Sequence, residues 1–328
     1  MSRNRSQGNA EHVRRSITGS LIPAVPIPFA ADGKIHVQAH ESYLRYMSTQ
    51  SIAGVAVWAH TGRGLLLDEE TARQVLKDWR RALSDKVVIA GVGTKEFTRD
   101  HKQATTSTLE MAEAAAEQGA DAFLAYPPTW LCEHPQRDRL IVQHHWRLSQ
   151  IGLPIVLFYL YEAAGGILYS PTVLDELLSL PNVIGVKVAT LDSVMTYQDI
   201  ARQIQERHPD QLLITGEDRF LGYSLRRGAK AALVGMGAVC CELQSELMKA
   251  HVDEDADRFL ELSDMVDRLA EVLFVPPMEG YIQRILLALS HLGIIPTEGA
   301  NDPWGPKLTV EEFNRIGKTV NALAACTA

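Results

Sequence analysis

Residues 183–189 read Val-Ile-Gly-Val-Lys-Val-Ala, an apolar β-strand pattern that contains one lysine, Lys187. Lysine is almost never fully buried unless a partner compensates its charge, and burial lowers its pKa because the charged form is poorly solvated. An amine that is neutral at physiological pH attacks carbonyl carbon and forms a Schiff base. The alternative is a lysine whose ammonium reaches solvent or a carboxylate at the strand end, and this segment alone favours neither.

Side-chain alternation predicts the direction in which Lys187 points. Residues 183, 185 and 187 share one face of the strand, whereas the branched residues at 184, 186 and 188 share the other. The branched set is expected to pack against helices. Lys187 is therefore predicted to point into the interior of a barrel, with Gly185 leaving space beneath it.

Strands of this kind recur along the chain. Short β-branched runs separated by helical patterns predict strands at Ser20–Val25, Gly54–Trp58, Val87–Gly91, Ala122–Ala125, Ile155–Tyr159, Val183–Lys187, Leu212–Thr215 and Ala231–Val234. Eight strands, seven of them joined by helices to the next, predict an α/β fold, a closed (β/α)8 TIM barrel, in which catalytic groups lie at the C-terminal strand ends. An open doubly wound sheet is disfavoured because no Gly-x-Gly-x-x-Gly turn follows the first strand.

The barrel is predicted to span residues 17–240. Residues 1–16 contain four arginines and no apolar core, so they are interpreted as a disordered arm and not as a secretory signal. Residues 241–328 contain helical patterns at Leu243–Val275, Met278–Leu292 and Thr309–Leu323. These patterns predict a C-terminal helical extension packed on the barrel.

Composition argues against several classes of function. The formal net charge of the 328 residues is -8, which disfavours binding to nucleic acid. No run approaches the roughly 18 consecutive apolar residues of a membrane span, so no membrane partner is expected. The four cysteines have neither metal-binding nor redox spacing, which fits a reducing cytoplasm. No metal and no cofactor is predicted.

The turn after the second strand, residues 59–64, reads Ala-His-Thr-Gly-Arg-Gly. Glycines let backbone amides converge on an anion such as a carboxylate, and the Thr61 hydroxyl would add a donor beside Gly62. His60 is a candidate acid/base group because its ordinary pKa lies near neutrality. The alternative is a glycine-rich turn in which His60 is merely solvated.

Three further segments carry weaker signals. One of the two tyrosines at the end of the fifth strand, Tyr159 or Tyr161, is a candidate for the pocket, with Tyr159 assigned to it, although a tyrosine bridging core and surface is equally compatible for each. Loops after the last two strands often bind phosphate in barrels, but Glu217 and Asp218 would repel it here. The pair His144-His145 is isolated, without ligand spacing, and is interpreted as a solvated or packing pair.

In order, these residues resemble the dihydrodipicolinate synthase / N-acetylneuraminate lyase superfamily of class I aldolases, from about Thr18 to the end of the chain. The shared landmarks are Pro26-Ile27-Pro28-Phe29, Thr61-Gly62, Ala90-Gly91-Val92-Gly93, Leu153-Pro154-Ile155-Val156-Leu157-Phe158, Pro181-Asn182-Val183-Ile184-Gly185-Val186-Lys187 and Thr215-Gly216-Glu217-Asp218. Each landmark is loose alone, but their order makes the set specific.

The resemblance implies a barrel with a helical extension, assembled as a homo-oligomer, usually a tetramer and otherwise a dimer. It implies that Lys187 is the Schiff-base lysine for a 2-oxo acid, commonly pyruvate. The carboxylate of that acid would sit on the turn at His60, Thr61 and Gly62. Leu233 would line the pocket from the eighth strand.

The sequence also departs from this family. The family turn is commonly Gly-Thr-Thr-Gly-Glu, so His60 replaces a relay hydroxyl and Arg63 replaces an acid. The family's strand-four loop usually carries a Pro-aromatic-Tyr whose phenol relays protons, but Thr129 aligns with that tyrosine and a shift by one gives Trp130. The next position, which is basic or hydroxylated in the synthases of this family, is Leu131 here. These departures argue against the lysine-pathway synthase reaction.

The sequence therefore predicts a lyase, an aldolase or hydro-lyase, that acts on pyruvate or another 2-oxo acid. His60 is the candidate for the missing relay, with Thr129 or Tyr159 assisting. Arg63 indicates a second anionic group on the substrate or, equally, a salt bridge between subunits. Two other hypotheses remain: a barrel enzyme acting on a phosphorylated metabolite, and a catalytically decayed barrel that binds 2-oxo acids in a regulatory role.

Overall fold

The computed structural model of the protein describes residues 2–95 and 100–327. The strands in this part of the chain are β1 Leu21–Pro23, β2 Gly54–Val57, β3 Val87–Val92, β4 Ala122–Ala125, β5 Ile155–Leu160, β6 Val183–Ala189, β7 Leu212–Thr215 and β8 Ala231–Val234. The α-helices are α1 Ser2–Ile17, α2 Val37–Ser48, α3 Glu69–Ala82, α4 His101–Glu117, α5 Arg137–Ser149, α6 Pro171–Leu178, α7 Val194–Arg207, α8 Leu221–Arg226, α9 Cys241–Val252, α10 Ala256–Leu273, α11 Tyr281–His291 and α12 Val310–Thr327.

The eight strands form one parallel sheet in the order β1-β8-β7-β6-β5-β4-β3-β2. The sheet closes between its first and last strands, because the Val25 amide donates to the Ala56 carbonyl at 3.1 Å and Ala24 forms a parallel bridge with Ala56. The predicted (β/α)8 barrel is therefore confirmed. Helix starts are fixed by side chains, as at Asp68, which accepts the Thr71 amide at 2.8 Å.

Lys187 points into the barrel, as alternation predicts. Val186 and Val188 pack in the outer layer between sheet and helices, whereas Phe158, the residue paired with Lys187 on β5, belongs to the interior. At the start of β6 the prediction is wrong, because Val183 lies in the outer layer and Ile184 in the interior.

A register shift between β5 and β6 explains this reversal. Ile155 pairs with Val183, but Val156 pairs with Gly185, so Ile184 is an extra residue that changes the facing of the strand. Gly185 does not leave open space, because a Cβ there would lie 2.2 Å from the Leu212 carbonyl oxygen. The glycine instead permits the close approach of β6 to β7.

The predicted disordered arm over residues 1–16 is also wrong. Residues 2–17 form α1, and residue 1 lies outside the described residues. Val13 and Ile17 are fully buried and pack with Ile22, Val87 and Leu212 in the barrel interior. Since Val87 and Leu212 are the first residues of β3 and β7, α1 fills the N-terminal end of the barrel.

The C-terminal extension contains α9 to α12. The pattern predicted over Leu243–Val275 forms two helices, because Glu254 takes the left-handed conformation with φ 56° and Asp255 then caps α10. Among the described residues no single helix is long and apolar enough to cross a membrane. Helix α10 and residues 278–291 reach the necessary length and apolarity only when they are taken together, and the two segments are bent by 106° relative to each other.

The burial of α1 predicts a measurable contribution to stability. Ile17→Ala is expected to lower the free energy of unfolding by about 2–5 kcal/mol, because it leaves a cavity beside fully buried neighbours. Leu260→Ala is the control, since Leu260 is 67% exposed on α10. Urea unfolding followed by circular dichroism measures both variants. Equal stability of the two would show that α1 does not hold the barrel end in solution.

Candidate active site

Lys187 lies near the C-terminal end of β6 and is 6% exposed. Its Nζ sits 4.2 Å from the centre of the Phe158 ring. In the described part of the chain no carboxylate oxygen lies within 4.0 Å of this nitrogen. The amine is therefore inside the barrel and is not held in an ion pair.

Burial lowers the pKa of Lys187 to about 8, although the negative charges of Asp218 and Glu217 counteract the shift. Burial likewise raises the pKa of both Glu217 and Asp218 to about 7. Lys187 consequently keeps a substantial neutral fraction near physiological pH, which is the state that a nucleophilic amine needs.

The two carboxylates hold the loops around the lysine. Glu217 accepts the Thr190 amide at 2.6 Å and the Leu191 amide at 2.9 Å, which fixes the loop after β6. Asp218 accepts the Met236 amide at 2.7 Å and so fixes the turn after β8. Because the Met236 amide already binds the Asp218 carboxylate, the turn at residues 235–237 has fewer free donors for a bound anion. The negative charge of Asp218 would also repel a phosphate, which disfavours the phosphate hypothesis.

Glycines give the lysine and the neighbouring turn their room. A Cβ on Gly216 would lie 2.6 Å from Lys187 Cε, and one on Gly235 would lie 3.0 Å from Thr61 Oγ1. Both residues follow strands, β7 and β8 respectively. The missing side chain of Gly216 gives Lys187 its room after β7, and that of Gly235 lets the turn after β8 approach Thr61.

The turn after β2 forms a 3-10 helix at His60–Gly62, with Arg63 in the left-handed conformation. Thr61 is buried, and its Oγ1 lies 3.0 Å from the hydroxyl of Tyr281. The Gly62 amide donates to the Ala59 carbonyl at 2.9 Å. The turn thus presents the Thr61 hydroxyl towards the β8 turn, but the Gly62 amide is already satisfied.

Arg63 does not await a second anionic group, and its charge is neutralised within the chain. Its guanidinium binds Asp302 at 2.7 Å and Glu279 at 2.6 Å, and both acids belong to the C-terminal extension. Bonds to these acids raise the pKa of Arg63 despite its burial. The expectation of a substrate contact or a subunit salt bridge is therefore replaced by an internal clamp.

Tyr281 is a site residue that sequence reasoning missed. Its hydroxyl lies 3.1 Å from His60 Nδ1 and 3.0 Å from Thr61 Oγ1, and its ring stacks between those of His60 and Phe274. Burial raises its pKa well above the ordinary value. No local pattern marks this tyrosine, since it opens α11 far from every strand end in sequence.

The remaining predicted residues divide into two groups. Leu233 is fully buried in the barrel interior, and its part in lining the pocket stays a prediction. Tyr159, however, packs against Tyr169 in the outer layer, so its predicted orientation towards the pocket is wrong. Thr129 is exposed on a 3-10 turn after β4, and within the described chain it makes no hydrogen bond to the site.

A different phenol stands at the mouth of the barrel. Tyr161, just beyond β5, packs against the interior cluster, and its pKa is raised to about 12 by burial and by nearby acids that include Glu279 and Asp218. The sequence offered Tyr161 as the alternative to Tyr159 but could not choose it, because β5 ends at Leu160 and the chain then enters a 3-10 turn.

No metal centre emerges from residues 2–95 and 100–327, where no group of three His, Cys, Asp or Glu side chains is placed to hold an ion. His144 and His145 are both buried rather than solvated: His144 Nδ1 lies 3.1 Å from Thr105 Oγ1, and His145 Nδ1 contacts the Ile141 carbonyl at 2.8 Å. Of the two alternatives that the sequence left open, a solvated pair or a packing pair, the structure shows the packing pair.

Fold and site together define a barrel with a buried lysine at its C-terminal mouth. The model of the dihydrodipicolinate synthetase family matches residues 17–323, so the chain belongs to this family. The resemblance found in the sequence is thereby confirmed.

Relatives in sequence are named as lyases and synthases. A DapA-like lyase of Thermococcus kodakarensis is 24% identical over 85% of this chain and 91% of its own. An N-acetylneuraminate lyase of Citrobacter koseri is 24% identical over 87% and 91%, and a 4-hydroxy-tetrahydrodipicolinate synthase of Bartonella quintana is 25% identical over 83% and 87%. Family and relatives support a lyase.

Solved structures confirm the fold. A putative dihydrodipicolinate synthetase from Pseudomonas aeruginosa superposes with a TM-score of 0.80 at 20% identity, covering 93% of this chain and 99% of that one. A sialic acid aldolase from Ruminococcus gnavus gives a TM-score of 0.79 at 21% identity, covering 94% and 98%.

The narrow space at Gly216 yields a test of the lysine's position. Gly216→Ala places a methyl group against Lys187 Cε, so the amine must move, and such a misplacement costs up to about 10²-fold in rate. The measurement is the rate at which borohydride traps a pyruvate adduct on Lys187. Gly8→Ala, on an open face of α1, is the control. An unchanged rate in Gly216→Ala would show that the lysine adopts another position.

Proposed function

We propose that the protein is a Schiff-base lyase, an aldolase or hydro-lyase, that acts on pyruvate or another 2-oxo acid. The observation that carries the proposal is the amine of Lys187, which is buried in the barrel, lowered in pKa and unpaired among the described residues. A buried cation without a partner is costly, so such a lysine is retained where its neutral form is used.

In the proposed reaction the neutral amine attacks the 2-oxo carbon. Loss of water leaves an imine, which accepts the electrons released when a carbon–carbon or carbon–oxygen bond breaks at the neighbouring carbons. The ring of Phe158 offers no acid or base beneath the amine. Protons must therefore be exchanged with groups at the mouth of the barrel.

The carboxylate of the substrate is proposed to bind at the turn after β2. A Cβ on Gly235 would lie 3.0 Å from the Thr61 hydroxyl oxygen, so the turn after β8 leaves room in front of this hydroxyl. Within the described chain no backbone acceptor engages the amide of Thr61, whereas the Gly62 amide already has one. We therefore assign the anchoring contact to Thr61 rather than to Gly62, with Leu233 forming an apolar wall.

The lysine-pathway synthase reaction is proposed not to be the activity of this chain. The loop after β4 carries Thr129 and Trp130 in place of a relay phenol, and the Thr129 side chain is exposed. A different 2-oxo acid, handled by the different acid/base groups around His60, fits this departure better. Assembly as a homo-oligomer and location in the cytoplasm complete the proposal.

The second candidate is a barrel that binds 2-oxo acids without turning them over. The neutral state of His60 favours it, because burial lowers the pKa of this histidine to about 4 and makes its ring a weak proton acceptor near neutrality. Imine formation without product release would identify this case.

Removal of the nucleophile tests the proposal directly. Borohydride with pyruvate, or with another member of a panel of 2-oxo acids, is expected to add a reduced adduct at Lys187, located by peptide mass spectrometry. Lys187→Arg keeps a positive charge but has no nucleophilic amine, so its adduct and its turnover are expected to vanish. The control is Lys86→Arg, at a lysine that binds backbone carbonyls outside the site. A wild-type lysine unmodified across the panel would refute the proposal.

The lowered pKa predicts the pH dependence of imine formation. Only the deprotonated amine attacks, so the trapping rate is expected to rise with pH and to level off above the pKa of about 8. A solvated lysine would continue to gain reactivity up to its ordinary value of 10.5. Rates measured from pH 6 to pH 11, roughly, bracket both values. Continued increase to the upper end would contradict a desolvated amine.

A further inference from the structure

Four side chains form a continuous chain of polar contacts beside the lysine. Glu279 Oε1 lies 3.4 Å from His60 Nε2, His60 Nδ1 lies 3.1 Å from the Tyr281 hydroxyl, and that hydroxyl lies 3.0 Å from Thr61 Oγ1. Glu279 is half exposed, whereas Thr61 and Tyr281 are buried. The chain thus runs from a half-exposed carboxylate to the buried hydroxyl of the turn after β2, and Lys187 lies close enough for its charge to contribute to the lowered pKa of His60.

The proton positions along this chain follow from the chemistry of its members. An ionised carboxylate only accepts, so the hydrogen of neutral His60 belongs on Nε2, facing Glu279. Nδ1 is then an acceptor, and the hydroxyl of Tyr281 donates to it. The oxygen of Tyr281 in turn accepts from Thr61, which leaves a lone pair on Thr61 Oγ1 directed to an incoming proton.

Contacts of the C-terminal extension, one of them with the barrel, hold these four side chains in place. Arg63 binds the second oxygen of Glu279, Oε2, at 2.6 Å, and its other nitrogens bind Asp302. Phe274 stacks on the Tyr281 ring with the centres 4.7 Å apart. Glu279 and the ring of Tyr281 are therefore fixed by contacts that do not themselves exchange protons with a substrate.

We propose that Tyr281 is the proton-relay residue of the Lys187 site, shuttling protons between Thr61 and His60, with Glu279 stabilising the imidazolium that results. This inference rests on the proposed Schiff-base function. It assigns to a helix of the C-terminal extension the phenol that the loop after β4 lacks.

The relay balances the chemistry of imine formation. The amine attacks the 2-oxo carbon, the C–N bond forms, and the carbonyl electrons move to oxygen. Each amine proton is taken in turn by Thr61, whose own proton passes to Tyr281 while the phenol proton passes to His60. The reverse shifts deliver both protons to the oxygen, the C–O bond breaks, water leaves and the imine remains, so no co-reactant is needed.

The test compares trapping kinetics in Tyr281→Phe and Tyr43→Phe. Tyr43 is a matched control, since its buried phenol donates to the Ala238 carbonyl in the outer layer. With borohydride in excess and pyruvate varied, Tyr281→Phe is expected to form the Lys187 adduct about 10²–10⁴-fold more slowly, the range typical of a lost acid/base group. The half-saturating pyruvate concentration and the final adduct yield are expected to stay unchanged, because anchor and nucleophile remain.

A second variant separates relay from packing. Replacement of Tyr281 by 3-fluorotyrosine keeps the ring, the hydroxyl and its contacts but makes the phenol more acidic. A relay predicts a changed trapping rate and a shifted pH profile, whereas a packing role predicts neither. The same replacement at Tyr43 is expected to leave both unchanged.

The outcomes are distinguishable. Fast trapping in the wild type with slow trapping in Tyr281→Phe supports the relay. Equal rates in wild type, Tyr281→Phe and the fluorinated protein overturn the relay and leave the Schiff-base function standing. A wild type that no 2-oxo acid modifies overturns the proposed function, and the relay falls with it.

Discussion

The desolvation of one amine is the constraint on which the rest of the site depends. Lys187 keeps a lowered pKa inside the barrel only if its neighbours neither solvate nor fully pair the ammonium. Phe158 beneath it supplies an aromatic face, and the two nearest acids are held by backbone amides of the loops after β6 and β8. The same contacts that order these loops therefore keep the carboxylates near the amine without closing an ion pair.

The C-terminal extension completes a site that the barrel begins. The barrel alone provides the lysine and the Thr61 turn, but the groups that contact His60 come from residues 279 and 281. Arg63, on the barrel, clamps Glu279 and Asp302 and so joins the two parts. An arginine that the sequence linked to the substrate is thus structural, and the acid/base groups lie where no strand end directs attention.

The sequence predicts what depends on repeated local patterns and misses what depends on distant packing. The eight strands, the barrel and the inward direction of Lys187 follow from branched residues at alternate positions, and these predictions hold. The reversal at Ile184 is invisible because it arises from pairing with β5. Tyr159 is misplaced because its prediction rests on the need of a buried phenol for a hydrogen-bond partner, which does not determine the face of the strand on which the tyrosine lies. Tyr281 and the buried face of α1 could not be found, because their partners lie far away in the chain.

Helix α1, at the opposite end of the barrel, limits the route by which small molecules can reach Lys187. Val13 and Ile17 fill the N-terminal end of the barrel, opposite the end at which Lys187 lies. Under the proposed function, ketone, expelled water and departing fragment would therefore enter and leave at the C-terminal end of the barrel. Tethering the protein to a support through its amino terminus would leave the C-terminal end of the barrel accessible.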